Sequence, residues 1–285
     1  MGIINRNKRS KFSYIRGHYK LACIAAAVLI VIIILVVLSP IIAPYDPAAM
    51  DLSHRLEGIS AAHWLGTDEQ GRDILSRILT GGYTALLSPL CVVGIGLAAG
   101  IPLGLISGYT NGKADNVIMR ICDVILSFPA MLLALVTVSI FGRGIRNTVI
   151  ILGFFYIPMI ARMVRSNVIV QKEPEYVEAC RAIGFSAPYI MVRHILPNCV
   201  STIVVQATLC TGYALLDISA MSFLGLGVQE PQADWGKMLA DGKNIIMTNP
   251  TLAISAGIII MITIICINLV GEALDSYFDP RRRKV

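Results

Sequence analysis

The sequence predicts an all-α membrane protein with six transmembrane helices and both termini in the cytoplasm. Three observations carry that prediction. Of 285 residues, 55% are hydrophobic and only 15% charged, with a mean hydropathy of +0.71, well beyond soluble norms. Apolar stretches long enough to cross a hydrocarbon core of about 30 Å alternate with polar links. Finally, 17 of the 24 Lys and Arg residues fall on the side that holds both termini and seven on the other, the bias of cytoplasmic loops. The net charge of +6 is therefore a matter of placement beside a lipid bilayer, and no nucleic-acid partner is expected.

Residues 1–20 carry six basic side chains and no acidic one, and read as a cytoplasmic segment. Residues 21–42 are uncharged and about 33 Å long as a helix, enough for the first span. Because Ser39-Pro40-Ile41-Ile42-Ala43-Pro44 is a poor cleavage site, the span reads as an uncleaved anchor. Residues 43–82 then form an external segment. Thr67 with Gln70 has a capping-box pattern, and Ile74, Leu75, Ile78 and Leu79 share a face, which predicts an interfacial helix leading into the second span. His63, Asp68, Glu69 and Asp73 are acid–base candidates by type, and read here as caps and ion pairs.

Residues 83–275 make a core of five further spans. In the second, 83–109, Gly96, Gly100, Gly104 and Gly108 recur every four residues and give a bare stripe for close helix packing. The pair Gly94 and Gly96 has neither the strand nor the lysine of a nucleotide loop. The third span is expected at 117–140, perturbed early by Pro129, with Asp123 paired to Arg120 or to interfacial water. Phe141 to Gly144 reads as an outer turn, and 147–164 as the fourth span, kinked at Pro158. The loop 169–198 is the least membrane-like part of the second half. Pro174 suits the first turn of a helix and Gly184 its stop; a second helix begins at Ser186 and must end before Pro197. On the first helix Tyr176, Cys180 and Ile183 share an apolar face. The fifth span, 199–222, leads to an external turn, the sixth covers 251–270, and a basic tail, 276–285, ends Arg281-Arg282-Arg283-Lys284. Seven cysteines are scattered without a C-x-x-C and read as small buried hydrophobes; four histidines are dispersed. No catalytic, cofactor-binding or metal set is expected.

Three strings carry a resemblance. Glu178-Ala179-Cys180, then Gly184 and Leu196-Pro197, are similar to the EAA loop of bacterial ABC importer permeases, with Cys180 in place of the second alanine and His194 in place of an isoleucine. Leu65-Gly66-Thr67-Asp68 with Gly71-Arg72-Asp73 and Ser76-Arg77, and Ser222-Phe223-Leu224-Gly225-Leu226-Gly227 with Asp234-Trp235-Gly236, resemble the C-type permeases of the dipeptide, oligopeptide and nickel family. The resemblance implies a type I (MetI-like) transmembrane domain in the bacterial plasma membrane. It would be one permease subunit of an ATP-driven importer of peptides, or of nickel and other metal chelates, handed over by an extracytoplasmic binding protein. Glu178, Ala179, Cys180, Gly184, Leu196 and Pro197 would form the loop that couples to an ATPase. Partners would be a B-type permease, two ATPase subunits that hold ATP and Mg, and the binding protein; the chain itself would be no enzyme. Its lack of a Walker A loop fits that division, and its single loop of this kind calls for a second permease to dock two ATPases. Ile218-Ser219-Ala220 has a neutral look associated with the metal-chelate members. The rival class is an ion-coupled carrier working without ATPases, with Asp123 and Asp217 as relay groups, but no inverted repeat supports it.

Overall fold

The computed structural model describes residues 2–278 except Asn111 and Pro174, with side chains from Lys20 onward other than that of Ala130. The tail Arg281 to Lys284, the basic side chains before Lys20 and Pro174 as a helix starter lie outside the described residues. The named elements among the described residues are helices: α1 (Gly2–Val37), a short α2 (Ser39–Ile42), α3 (Ile74–Thr110), α4 (Lys113–Leu126), α5 (Ala130–Phe141), α6 (Ile145–Lys172), α7 (Glu175–Ala182), α8 (Ala187–Ile190), α9 (Leu196–Phe223), α10 (Trp235–Asn244) and α11 (Thr251–Phe278).

Five helices are long and apolar enough to cross a membrane, and the sixth crossing exists only if a bent pair counts as one. That pair is α4 and α5, which meet at 84°. The break has a local cause: Pro129 lacks an N–H and disfavours helix at Phe128, and the chain restarts with Leu132 and Leu133 N–H donating to the Pro129 carbonyl at 3.0 and 3.2 Å. Pro158 breaks nothing, since α6 runs through it.

The expected interfacial helix and second span are one element. α3 has 37 residues, about 55 Å, longer than a hydrocarbon core of about 30 Å. Its N-terminus is capped by Asp73, whose Oδ2 accepts from Ser76 N–H at 2.8 Å and Oγ at 2.7 Å. Thr67 and Gln70 do not cap it, because the chain is still turning there. Thr67 instead pairs with Asp73 in an isolated antiparallel bridge, and its Oγ1 donates to the His54 carbonyl and accepts from Glu57 N–H.

At the centre, α3 packs along α6 by the glycine stripe. A Cβ at Gly104 would lie 2.6 Å from the Ala161 carbonyl oxygen, and one at Gly108 2.7 Å from Val168 Cβ; Gly96 and Gly100 press on Tyr156 and Ile160. α9 closes this core with Cys199, Ile203, Cys210, Ala214 and Ile218. A second cluster, Val36, Ala85, Leu215, Trp235 and Ile267, ties in α1, α10 and α11. Five of the seven cysteines are buried as expected of small hydrophobes, but Cys23 and Cys91 stand on the outward face.

One end of the bundle is a packed cap made of residues 43–73 and 224–250. Asp68 and Arg72 are buried together, with Arg72 Nε donating to Asp68 Oδ2 at 2.7 Å, and Asp73 pairs with His63 Nδ1 at 2.9 Å. Glu230 joins the halves through Arg72 at 3.6 Å and Gln70 at 3.3 Å. Asp234 caps α10 by accepting from Gly236 and Lys237 N–H, and its burial pushes that carboxyl above the usual range. Trp235 is sealed and donates to the Ile78 carbonyl at 2.8 Å, while a Cβ at Gly236 would lie 2.3 Å from the Ser219 carbonyl. The string Asp234-Trp235-Gly236 is thus a docking plug. Ile218 and Ser219 are buried beneath it.

Candidate functional site

The opposite end carries the loop 169–198, and its backbone is defined by one turn. Gly184 takes φ +92°, its N–H donates to the Arg181 carbonyl at 3.0 Å, and Phe185 N–H reaches back to the Cys180 carbonyl at 3.1 Å. This is the glycine-ended stop in which two orphan carbonyls of the last turn are satisfied. A Cβ at Gly184 would meet nothing, so the left-handed backbone, rather than crowding, is what asks for glycine.

The faces of α7 differ from the sequence expectation. Val177 is fully buried and Cys180 nearly so, both joined to Ile190 and Ile195 in the central core. Tyr176 and Ile183 do not share that face; Ile183 is 73% exposed. Val177 and Cys180 reach the core, while Tyr176 stays at the rim, its hydroxyl donating to the Gln171 carbonyl of α6 and accepting from Asn198 Nδ2 of α9, both at 3.1 Å, and Ile183 faces out. Glu178 and Ala179 are exposed beside Ile183, so the predicted residues divide: Glu178 and Ala179 face out, Cys180 faces in, Gly184 makes the turn, Leu196 is half-buried and Pro197 exposed.

The second helix does not end before Pro197. α8 passes through a π-helical turn, Met191–Ile195, straight into α9, so residues 187–223 form one span-length helix. The wider π turn makes room for the proline ring, which would clash with the carbonyl four residues back in a regular helix.

Aromatic and charged contacts missed by the sequence reading hold the loop to the bundle. Arg181 lies over the Tyr109 ring at 5.2 Å and its Nε donates to the Tyr109 hydroxyl at 3.3 Å; Lys172 Nζ donates to the Tyr109 carbonyl. Phe185, Tyr189 and His194 form a ring triad, with Phe185 and Tyr189 centroids 4.8 Å apart and His194 at 6.0 and 5.6 Å from them. Below the loop, Arg165 makes two 2.6 Å hydrogen bonds to Asp115, which also accepts from Ser107, pinning α3, α4 and α6. Asp123 pairs with Arg162 on α6, not with Arg120 on its own helix. Nothing local announces partners 39 and 50 residues away. In the middle of the bundle the Tyr156 hydroxyl donates to Asp217 Oδ2 at 2.8 Å. What the loop can do is mechanical: it is continuous with α9 and pinned to α3, so a push on it is delivered to the core.

Comparison with known proteins gives a family and a fold. The family described as "Binding-protein-dependent transport system inner membrane component" matches residues 100–284, and that described as "N-terminal TM domain of oligopeptide transport permease C" matches residues 18–58. The chain is 42% identical over 239 residues to the glutathione transport system permease protein GsiD of Pectobacterium atrosepticum, covering 84% of this chain and 79% of the relative. It is 38% identical to the dipeptide transport system permease protein DppC of Alkalihalophilus pseudofirmus, covering 93% and 87%. Among solved structures, the inward-facing MetNI methionine ABC transporter superposes with a TM-score of 0.60 at 20% identity, over 72% of this chain and 98% of that one, a likeness of fold.

Proposed function

The chain belongs to the family of binding-protein-dependent transport system inner membrane components, and from that premise we propose how it works and what it carries. It is a multi-pass permease subunit of an ATP-driven importer, working with ABC ATPase and binding-protein partners. The ion-coupled carrier falls away.

The loop end faces the bacterial cytoplasm and docks into an ATPase through Glu178, Ala179 and the apolar group Ile183, Phe185, Tyr189 and Val192. ATP and Mg stay on the ATPases, and a B-type permease supplies the second loop. Peptides are the cargo, as the names of the relatives suggest. The observation that carries the docking reading is that these four apolar side chains, all within the loop, are 41% to 73% exposed, with the Phe185 and Tyr189 rings packed at 4.8 Å. ATP-driven closure of the ATPases would bring the two loops together and tilt the spans as rigid bodies.

Gly184→Val tests it. The expected result is an assembled, membrane-inserted importer that hydrolyses ATP without uptake; normal uptake would count against the docking role. Cargo is tested by isolating the cognate binding protein from cells and analysing its ligand by mass spectrometry and metal analysis. A peptide is expected, and a metal chelate would overturn that part.

A further inference from the structure

Two acids lie within the predicted spans, and they are treated differently. Asp123 is neutralised by Arg162. Asp217, six residues before the end of α9, has no cation opposite it among the described residues. Its Oδ2 is taken by the Tyr156 hydroxyl, and Oδ1 accepts no hydrogen bond there. The side chain is half-buried rather than sealed.

The side of α9 on which it stands carries further polar residues, interspersed with Leu209 and Ala220. At 3.6 residues per turn, Thr202, Gln206, Tyr213 and Asp217 fall within about 60° of arc. Thr202 and Tyr213 are exposed and Gln206 half-buried. Val200 and Val204, exposed on another side of the same helix, suit lipid. At the centre of a span an acid turned toward hydrocarbon costs about 2.5–3.5 kcal/mol even on the mildest scale, and intramembrane acids face the bundle interior, water-filled cavities or partners. A water-filled path along these residues fits exposed Thr202 and Tyr213, and Asp217 brings to it a carboxylate whose Oδ1 accepts no hydrogen bond among the described residues.

We propose that Asp217 Oδ1 receives the α-ammonium group of the peptide in transit, with Tyr156 holding the carboxylate in position. This deepens the peptide-importer reading and rests on it. A single open carboxylate oxygen suits an ammonium, whose N–H groups make short charge-assisted bonds to it, and the same oxygen would repel the peptide's carboxylate end. Dipeptides and glutathione, named in the relatives, share a free ammonium group.

The test uses the assembled importer with Cys23 and Cys91 replaced by serine and a new cysteine at Tyr213, one turn from Asp217. A negatively charged methanethiosulfonate should label Tyr213→Cys. Dialanine should slow labelling about threefold or more, while propionyl-alanine, which lacks the amino group, should not; Asp217→Asn should abolish the protection. In vesicles, Asp217→Asn should lower dialanine uptake about tenfold or more while the subunits still co-purify. Equal protection by both compounds, protection that survives Asp217→Asn, an unlabelled cysteine, or loss of assembly in Asp217→Asn would each overturn the proposal. Failure of the importer reading looks different: the unaltered complex would show no ATP-dependent uptake at all.

Discussion

The same glycine-ended helix stop occurs at both ends of the bundle. At Gly225 the N–H donates to the Ser222 carbonyl and Leu226 N–H to the Met221 carbonyl; at Gly184 the equivalent bonds go to Arg181 and Cys180. Backbone φ is +77° and +92°. The two chains of residues leaving these stops have different surroundings. Leu226 is 7% exposed, held under a cap full of buried ion pairs, whereas Phe185 is 41% exposed and the apolar side chains around it are uncovered. The first stop is sealed by the chain itself, although the cap above it still exposes Trp64 and Met247; the second leaves its own apolar side chains bare.

That contrast can be broken most forcefully at the cap. Trp235→Ala empties a sealed site and removes the indole bond to Ile78, so it should cost about 3–5 kcal/mol and lower the thermal midpoint of the purified complex by several degrees. Next come the matched stops. Gly225→Val and Gly184→Val each force a β-branched residue into a left-handed backbone, at about 1–2 kcal/mol or more. Only the Gly184 variant should separate ATP hydrolysis from uptake; equal uncoupling by both would erase the functional half of the comparison. Arg181→Ala removes a cation–π contact with Tyr109 worth about 0.5–1 kcal/mol, and should show mainly as faster hydrogen exchange in α7. Ile183→Ser is the smallest for stability, within about 0.5 kcal/mol, yet it should weaken ATPase co-purification.

Sequence patterns that act over one or two turns were readable. The glycine stripe of α3 lies against α6, and Gly184 stops α7. Features set by distant partners were not. For Asp123 the sequence offers Arg120 or interfacial water, because only neighbours on the chain are visible in it, whereas the fold brings up Arg162. The face of α7 was misjudged for a related reason. Periodicity gives an apolar arc, but which part of it turns inward depends on where α6 and α9 end. Pro197 taught a third lesson: its missing N–H does end a regular helix, and a π turn removes the need.

The unbroken run from Ala187 to Phe223 has a consequence for scale. At about 1.5 Å per residue its 37 residues make a rod of about 55 Å, so a swing of only 10° about one end sweeps the other by roughly 10 Å. That displacement is comparable to the breadth of a small peptide. On the docking proposed above, a modest stroke at the loop would be amplified into a movement of that size at the far mouth without unfolding a single turn.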